Sequence, residues 1–375
     1  MIKEYISSQR QAMVRVLKGL VERESPTSDK RAVDGCLDYF LGHVSKLPVD
    51  ILRFPQGEVG DLCLVGYPDL SHFKAKPILV LAHTDTVWPV GQLKTMPWRT
   101  AGPKVFGPGV LDMKAGLVVA LFALKTLASL RIPAKRPVLL FLNSAEETGH
   151  PAASRMIEQL SRKSAFVLCL EPALPGGALK VQRKGRLVVN VRARGKSAHA
   201  GAPQNGVSAI EELLLQLDGL RSLRTKGTTM NIGLISGGTK PNVVPADAGA
   251  VLDFRFWKEK EAKVILERLK KMRPKVPGAR LSYSVESMTP PLERSDASRR
   301  LFQRAAKIAR GLGLRLQAGK TGGGSDASLA AILGLPALDG LGPDGAGIHA
   351  LNEHILFPSL LERAAFLASL LAGLD

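Results

Sequence analysis

The sequence predicts an α/β protein built from two domains. Its 375 residues are enough for two separate hydrophobic cores. In the first 170 residues, short apolar runs alternate with helical patterns, and this alternation favours a largely parallel sheet. From about residue 184 the order becomes β-α-β-β-α-β, which is typical of a small split βαβ sandwich. We therefore expect one domain from residues 1–183 and 290–375, with a second domain inserted at 184–289.

Periodicity predicts the elements of the first domain. Apolar residues at helical spacing indicate amphipathic helices at 4–24 and 30–44, joined by a loop at 25–28. Continuous apolar runs predict buried strands, and shorter patterns predict two further strands. A mostly apolar helix follows a glycine-rich loop, and another helix is expected later in the chain. The expected strands are 51–54, 62–66, 77–81, 137–143 and 165–170, and the two later helices are 115–130 and a segment near 295–312.

The inserted domain shows a different pattern of strands and helices. Pro290-Pro291 marks the return of the chain to the first domain. Within the insert, helical spacing alternates with strand-like runs in the order of the split βαβ sandwich. The expected strands are 187–194, 230–236, 248–256 and 280–287, and the expected helices are 207–220 and 259–272.

Charge, cysteine content and hydropathy exclude several function classes. The formal charge is +19, but the basic residues are spread along the chain and aromatic residues make up only 5%, so we expect no nucleic-acid partner. Cys36, Cys63 and Cys169 lack metal-type spacing, which favours a reducing compartment. The longest apolar run, 115–124, falls short of the ~18 residues of a membrane span. With no visible signal peptide, we expect a cytoplasmic protein without a membrane partner, or a periplasmic one if a signal was removed before residue 1.

Acidic and imidazole side chains stand at the ends of the predicted core strands or in adjoining loops. His83 and Asp85 follow the strand at 77–81, and a nearby carboxylate can fix the orientation of a metal-binding histidine. Because a parallel sheet gathers the carboxyl ends of its strands at one edge, we expect these groups to meet. The full set is His83, Asp85, Asp112, Glu146, Glu147, Glu171 and His349.

This set of side chains predicts a metal centre. Two histidines with several carboxylates suit zinc, and a carboxylate that bridges suits a pair of ions. Burying so many acids without cations would be very costly. Glu146 and Glu147 are neighbours in a loop and point in different directions, so one can bind metal while the other faces the attacking water as a general base.

Six motifs, in order along the chain, resemble those of the M20 metallopeptidase family. They are His83-Thr84-Asp85, Gly107-Pro108-Gly109 through Asp112-Met113-Lys114, Ser144-Ala145-Glu146-Glu147-Thr148-Gly149, Glu171-Pro172, Gly195-Lys196-Ser197-Ala198-His199-Ala200-Gly201 and Gly322-Gly323-Gly324-Ser325-Asp326. Within that family the chain looks most like the glutamate carboxypeptidases of the carboxypeptidase G2 type. The resemblance extends from about residue 25 to the C-terminus.

The resemblance implies a zinc-peptidase-like catalytic domain that binds two zinc ions per chain. It also implies that the insert is a ferredoxin-like domain, called the lid here, which often forms a homodimer. By motif, Asp112 would bridge the two ions. His83 and Glu171 would complete one site, and Glu147 and His349 would complete the other.

The resemblance also assigns roles around these ligands. Asp85 would orient His83, and Glu146 would act as the general base. His354 lies five residues after His349 and is the alternative final ligand. The glycine-containing segment before His349 fits the final ligand loop of the family better, so we expect His349 to bind metal.

Residues of the lid and of the glycine-rich loop are expected to bind substrate. By resemblance, His199 would cross the dimer and help to stabilise the oxyanion. Asn242 and Arg255 would hold the terminal carboxylate of the substrate, a task that suits the guanidinium fork. Gly323 and Gly324 would line the substrate site, where backbone amides before a helix can cradle an anion.

These assignments point to hydrolysis of an amide bond next to a free C-terminal carboxylate, in an N-acyl amino acid or a short peptide. Cations at Lys180, Arg183 and Lys184 and the net positive charge favour an acidic substrate that ends in glutamate. The best-known family member selects glutamate with lid residues in the region that corresponds to Met288. This chain has no arginine at that position, which is a departure from that member. An aminoacylase, an acetylornithine deacetylase or a dipeptidase would use the same metals and remains an alternative. A silent binding protein is disfavoured, because no ligand and no base is missing.

Overall fold

The computed structural model describes residues 1–68 and 75–375. The strands are β1 (Asp50–Phe54), β2 (Leu62–Tyr67), β3 (Ile78–His83), β4 (Arg99–Ala101), β5 (Lys104–Phe106), β6 (Val138–Asn143), β7 (Phe166–Cys169), β8 (Leu179–Arg183), β9 (Gly185–Arg194), β10 (Thr229–Gly237), β11 (Asp247–Phe256), β12 (Arg280–Thr289), β13 (Ala318–Thr321), β14 (Ala337–Leu338), β15 (Gly345–Ala346) and β16 (His354–Leu356). The α-helices are α1 (Ile2–Ser8), α2 (Arg10–Val21), α3 (Lys30–Val44), α4 (Ala115–Leu130), α5 (Pro151–Lys163), α6 (Ala209–Leu220), α7 (Glu259–Lys270), α8 (Asp296–Gly311), α9 (Ala327–Ala331) and α10 (Phe357–Gly373).

The chain separates into two compact units. Unit 1 comprises Met1–Val181, Arg294–Lys320 and Ser325–Asp375. Unit 2 comprises Gln182–Glu293 and the short segment Thr321–Gly324. The domain boundaries that we expected from the sequence, 184–289 for the insert, remain a prediction about independently folding domains.

Unit 1 is organised around a mixed sheet. Within the described residues this sheet has six strands in the order β1-β2-β6-β3-β7-β14. β6, β3, β7 and β14 are parallel to one another, whereas β1 and β2 pair in antiparallel fashion. Every residue of β3 and β6 is buried, as expected for parallel strands that are covered on both faces.

Helix α4 lies in the hydrophobic core of unit 1. It is apolar around most of its circumference and packs against α1, α2, α3 and α10. The stretch Val110–Leu130 is long and apolar enough to cross a membrane, yet 78% of its most apolar 18-residue segment is buried inside the protein. The burial identifies this stretch as a core helix.

Unit 2 is a sheet covered by two helices. Its strand order is β10-β11-β9-β12, and the paired strands run antiparallel. Alternate residues of β11 are buried in a core that includes residues of α6 and α7. Ser208 caps α6 by accepting a hydrogen bond from the amide of Glu211 at 3.2 Å. The chain order β9-α6-β10-β11-α7-β12 is the predicted β-α-β-β-α-β arrangement.

Most elements lie close to their predicted positions, and the differences have local causes. The helix predicted at 4–24 is two helices, because the backbone leaves the helical conformation at Gln9, where φ is −88° and ψ is 2°. Apolar spacing continues across this residue and therefore contains no signal for the break. Helices α5 and α10 and the short strands β4, β5, β8, β13, β14, β15 and β16 were not predicted.

Candidate metal centre

Three of the predicted ligand segments lie at one edge of the unit 1 sheet. β6, β3 and β7 are parallel neighbours, so their carboxyl ends meet there. His83 is the last residue of β3, and Glu171 follows β7. Glu146 and Glu147 lie in a turn that follows β6. The sheet topology therefore brings together side chains that are far apart in the sequence.

Asp112 and His349 belong to two irregular segments of unit 1. Asp112 lies in the turn Val110–Lys114 just before α4, where its φ of −113° and ψ of 97° are not helical. His349 lies between β15 and β16 with a φ of 58°, in the left-handed region that residues other than glycine seldom adopt. Backbone conformations of this kind cluster at functional sites and must be held by surrounding contacts.

The imidazole and carboxylate atoms of this set lie close together. His83 Nε2 is 3.3 Å from Asp112 Oδ1 and 3.7 Å from Glu171 Oε1. His349 Nε2 is 3.5 Å from Asp112 Oδ2 and 3.4 Å from Glu147 Oε2. The two oxygens of Asp112 therefore face different histidines.

These donors fit divalent ions of the zinc type. Ligand atoms ~2.1 Å from a tetrahedral ion lie about 3.4 Å from one another, which is close to the four separations above. The donor atoms form two groups of three, each with its members within 4.8 Å of one another. One group is His83, Asp112 and Glu147, and the other is His83, Glu146 and Glu171. Glu147 Oε1 is buried without a hydrogen-bond partner among the residues that the structure describes, and a bound cation would supply one.

Burial and neighbouring charges shift the pKa values of the set. Burial opposes the charge on His83, but three adjacent carboxylates outweigh it and raise its pKa well above 6.5. The adjacent carboxylates of Asp112 and Glu147 raise the pKa of His349 to about 10. Burial raises the pKa of Glu147 and raises the pKa of Glu146 well above 4.5. In the metal-free chain these shifts favour the protonated forms of both histidines and both glutamates.

Asp85 connects the two glutamates with His83. Its Oδ1 and Oδ2 accept hydrogen bonds at 3.2 Å from the backbone amides of Glu146 and Glu147, respectively. Asp85 Oδ1 also lies 3.3 Å from His83 Nδ1. Thr27 Oγ1 donates a hydrogen bond to Asp85 Oδ2 at 2.6 Å. Thr27 lies in the segment that we had expected only to be a loop, and its contact with Asp85 was not predicted.

Two histidines follow α9 in the sequence, and the structure brings His349 to the ligand set. The ring of His354 instead packs against the ring of Phe106, with the two centroids 5.0 Å apart. Between the two histidines lies Glu353, a buried residue that accepts a hydrogen bond from the backbone amide of Asp112 at 3.1 Å. The only sequence signal for Glu353 is its position four residues after His349.

Two of the three cations expected to attract substrate have internal partners instead. Lys180 is buried, and its Nζ lies 3.7 Å from Glu171 Oε2. Arg183 is also buried and donates hydrogen bonds to the carbonyl groups of Gly323 and Gly324. Both cations are therefore engaged inside the protein, and their attraction for an acidic substrate stays a prediction.

The predicted substrate residues of unit 2 lie in two places. His199 and Asn242 are exposed and lie on adjacent segments, since the amide after His199 donates a hydrogen bond to Asn242 O at 3.0 Å. Arg255 Nε donates to Asp253 Oδ1 at 2.7 Å, and its Nη1 donates to Gly322 O at 3.4 Å. The Arg255 side chain is 31% exposed. Part of its guanidinium is therefore engaged within unit 2, and part faces solvent.

Comparison with known sequences identifies a family and relatives of this chain. The peptidase family M20/M25/M40 matches residues 79–373 of the chain. Carboxypeptidase G2 of Pseudomonas sp. (strain RS-16) is 27% identical over 373 residues, which cover 97% of this chain and 89% of that protein.

Solved structures share the fold across almost the whole chain. Aminopeptidase PepT from Bacillus cereus ATCC 10987 has a TM-score of 0.81 and 22% identity, and the match covers 97% of this chain and 98% of that chain. YXEP from Bacillus subtilis, described as a dinuclear metal binding peptidase from the M20 family, has a TM-score of 0.71 and 14% identity, covering 98% of each chain. The chain therefore belongs to the peptidase family M20/M25/M40, and it is a metal-dependent peptidase or amidohydrolase.

Proposed function

We propose that this protein is a two-zinc hydrolase that cleaves the amide bond next to a free C-terminal carboxylate. One observation carries the two-ion part of the proposal: Asp112 directs one oxygen at His83 and the other at His349. A carboxylate in that position can serve two ions at once. The Bacillus subtilis structure described as dinuclear supports this proposal.

In this proposal His83 and Glu171 hold one ion together with Asp112, and Glu147 and His349 hold the other. Imidazole nitrogens and carboxylate oxygens suit zinc, and the carboxylates lower the cost of bringing the ions out of water. When bound, the ions would polarise the scissile carbonyl and lower the pKa of the attacking water.

Glu146 would move the proton during the reaction. Its carboxylate would accept a proton from the attacking water and deliver it to the leaving nitrogen. In the metal-free chain, burial and neighbouring carboxylates raise the pKa of the half-buried Glu146 side chain, as is common for general acids and bases in enzymes. Asp85 fixes the turn by accepting the hydrogen bond of the Glu146 amide at 3.2 Å, so the carboxylate starts from a rigid backbone.

Zinc binding to the metal-free protein should release protons at pH 7. The pKa of His349 is about 10, so its ring is an imidazolium at pH 7 and must lose one proton to bind metal, and the raised pKa of His83 acts in the same direction. Zinc affinity should therefore fall as the pH is lowered. Calorimetric titration in two buffers with different ionisation enthalpies measures the release. A binding heat that is the same in both buffers would contradict it.

We propose further that the substrate is an N-acyl amino acid or a short peptide that ends in glutamate. The solvent-facing part of the Arg255 guanidinium can bind a carboxylate, and the exposed Asn242 side chain lies on the segment next to His199, where it would take part in substrate binding together with His199. The net charge of +19 favours anionic substrates. The relative named carboxypeptidase G2 supports cleavage at a carboxyl terminus.

A substrate panel tests this proposal. The values of kcat/KM for N-acyl-glutamate, N-acyl-alanine, N-acyl-lysine and N-acetylornithine should be compared at low and high ionic strength. We expect a preference for glutamate of at least about tenfold, or ~1.4 kcal/mol, that weakens with salt. Equal rates or a preference for lysine would indicate a general aminoacylase, and a preference for N-acetylornithine would indicate a deacetylase.

Arg186 offers a matched control for the role of Arg255, because Arg186 Nε also donates to Asp253, at 2.8 Å. Arg255→Ala should lower kcat/KM by at least about tenfold for every substrate with a free terminal carboxylate, since it removes a charged partner of that group. Arg186→Ala removes the other partner of Asp253 and should leave kcat/KM near the wild-type value. Equal losses in both variants would assign the effect to Asp253 and the sheet instead.

We propose that unit 2 forms a homodimer in which His199 acts on the partner's substrate. Among the described strands β10 lies at the end of the unit 2 sheet, and its Leu234 and Ile235 are 68% and 59% exposed. An exposed apolar edge strand is a surface that proteins usually cover. The dimer would cover it.

Mixing two inactive variants tests this role of His199. Glu146→Gln chains and His199→Ala chains should each be inactive alone. After subunit exchange, each mixed dimer contains one site with both residues intact, so up to about a quarter of the wild-type activity should return. A fully active monomer at micromolar concentration, or exchange without recovery, would contradict the proposal.

A further inference from the structure

Glu353 is a fully buried carboxylate outside the proposed ligand set. None of the residue is exposed to solvent. Each of its oxygens accepts two hydrogen bonds, and bonds of this charge-assisted kind are stronger than those between neutral groups. Oε2 accepts from Trp88 Nε1 at 2.7 Å and from the amide of Gly109 at 2.9 Å, and Oε1 accepts from the amides of Leu111 at 2.8 Å and Asp112 at 3.1 Å.

Of these four donors, the amides of Leu111 and Asp112 belong to the turn that presents Asp112, and the amide of Gly109 directly precedes it. The turn is not a regular helix, since Asp112 and the residue after it have non-helical φ and ψ angles. Backbone amides that converge on one concavity form an anion-binding nest. Here the bound anion is the carboxylate of Glu353 from the same chain. The turn is closed separately by the amide of Lys114, which donates to Gly109 O at 3.0 Å.

Glu353 also belongs to the segment that presents His349. The amide of Glu353 donates a hydrogen bond to Ala350 O at 2.9 Å. Gly347 has a φ of 84°, and a Cβ atom there would lie 2.8 Å from the amide nitrogen of Glu353, so the segment is tightly folded. One side chain therefore ties the segment of the half-exposed His349 to the buried turn of Asp112.

We propose that Glu353 is a positioning residue that holds Asp112 where its two oxygens face the two histidines, and that it thereby sets the affinity of the protein for metal. The role given to Asp112 rests on the two-zinc function proposed above. Glutamine at this position would keep the size of the side chain but would direct an amide NH2 at two of the four donors. The buried donors would then lack acceptors, and the turn would relax.

A matched pair of variants tests this role. Glu212 is also fully buried, and it accepts hydrogen bonds from the amides of Lys275 at 2.8 Å and Val276 at 2.7 Å, all within unit 2. Competition with a chelator measures the zinc affinity of each full-length chain. We expect Glu353→Gln to weaken zinc binding about 10–100-fold, as is typical of residues that orient metal ligands, and Glu212→Gln to leave it unchanged. A loss below about tenfold, or an equal loss in both variants, would overturn the proposal.

Hydrogen exchange in the metal-free chains separates this role from the two-zinc function. The amides of Gly109, Leu111 and Asp112 should be protected in the wild type and in Glu212→Gln, and they should lose protection in Glu353→Gln. A wild-type chain that binds fewer than two ions would contradict the two-zinc function, whereas this loss of protection would still support the positioning role. Unchanged protection of these amides in Glu353→Gln would overturn the positioning role.

Trp88→Phe provides a milder variant in case Glu353→Gln does not fold. It removes one donor to Glu353 Oε2 and keeps the carboxylate with its three amide partners. We expect zinc affinity to fall about 2–10-fold, in line with the loss of one hydrogen bond. Zinc affinity equal to that of the wild type would overturn the proposal.

Discussion

Replacing Glu146 with glutamine is expected to abolish turnover while the zinc content stays unchanged. The substitution keeps the size of the side chain but removes the carboxylate that would accept the proton of the attacking water. Positioned general acids and bases contribute on the order of 10²–10⁴-fold to rates, so kcat should fall by at least about 10²-fold. Steady-state kinetics and elemental analysis of the same preparation measure both quantities.

Glu147→Gln is the matched comparison for this prediction. The backbone amides of both glutamates donate hydrogen bonds to Asp85, so the turn should survive either substitution. Glu147 Oε2 lies 3.4 Å from His349 Nε2, in the position of a ligand, and Glu147→Gln should therefore lose metal together with activity. Metal lost from Glu146→Gln but retained in Glu147→Gln would show that the two roles are reversed. Modest effects of both variants would indicate structural roles only.

Asp112→Ala should empty both metal sites. The two carboxylate oxygens of Asp112 face His83 and His349 separately, so a single substitution removes a ligand from each proposed ion. The turn should persist, because Glu353 binds the backbone amide of Asp112 and not its side chain. Elemental analysis after extensive dialysis should find nearly no zinc in this variant.

Glu171→Ala is the control for the bridging role of Asp112. Glu171 Oε1 lies 3.7 Å from His83 Nε2 and is assigned to the first proposed ion only, so this variant should lose about one of two ions. Circular dichroism should show that both variants remain folded. An Asp112→Ala chain that keeps one zinc ion would assign Asp112 to a single site.

Buried apolar runs made much of the fold and the position of the site predictable. The runs at 77–81 and 137–143 predicted buried strands, and β3 and β6 confirm them. Polar residues directly after such strands can lie only at the edge of the sheet, which is where the structure places His83. The helix predicted at 30–44 is confirmed as α3, and Asp29 caps it by accepting a hydrogen bond from Ala32 N at 3.0 Å.

Contacts between distant polar residues could not be predicted from local patterns. Thr27 binds Asp85 across 58 positions, and Glu353 binds the amide of Asp112 across 241. Such pairs depend on how irregular segments meet in space, and hydrophobic periodicity carries no information about that. Lys180 shows the same limit, because a lysine has the same sequence signature on the surface as in a buried contact with a carboxylate.

Counting the zinc ions that restore activity tests the two-zinc centre most directly. Metal-free wild-type protein would be titrated with zinc while bound metal and hydrolysis of an N-acyl-glutamate are measured on the same sample. We predict that activity reaches its maximum at about two zinc ions per chain, because Asp112 directs its two oxygens at separate histidines. Full activity with at most one ion per chain would contradict the two-zinc centre.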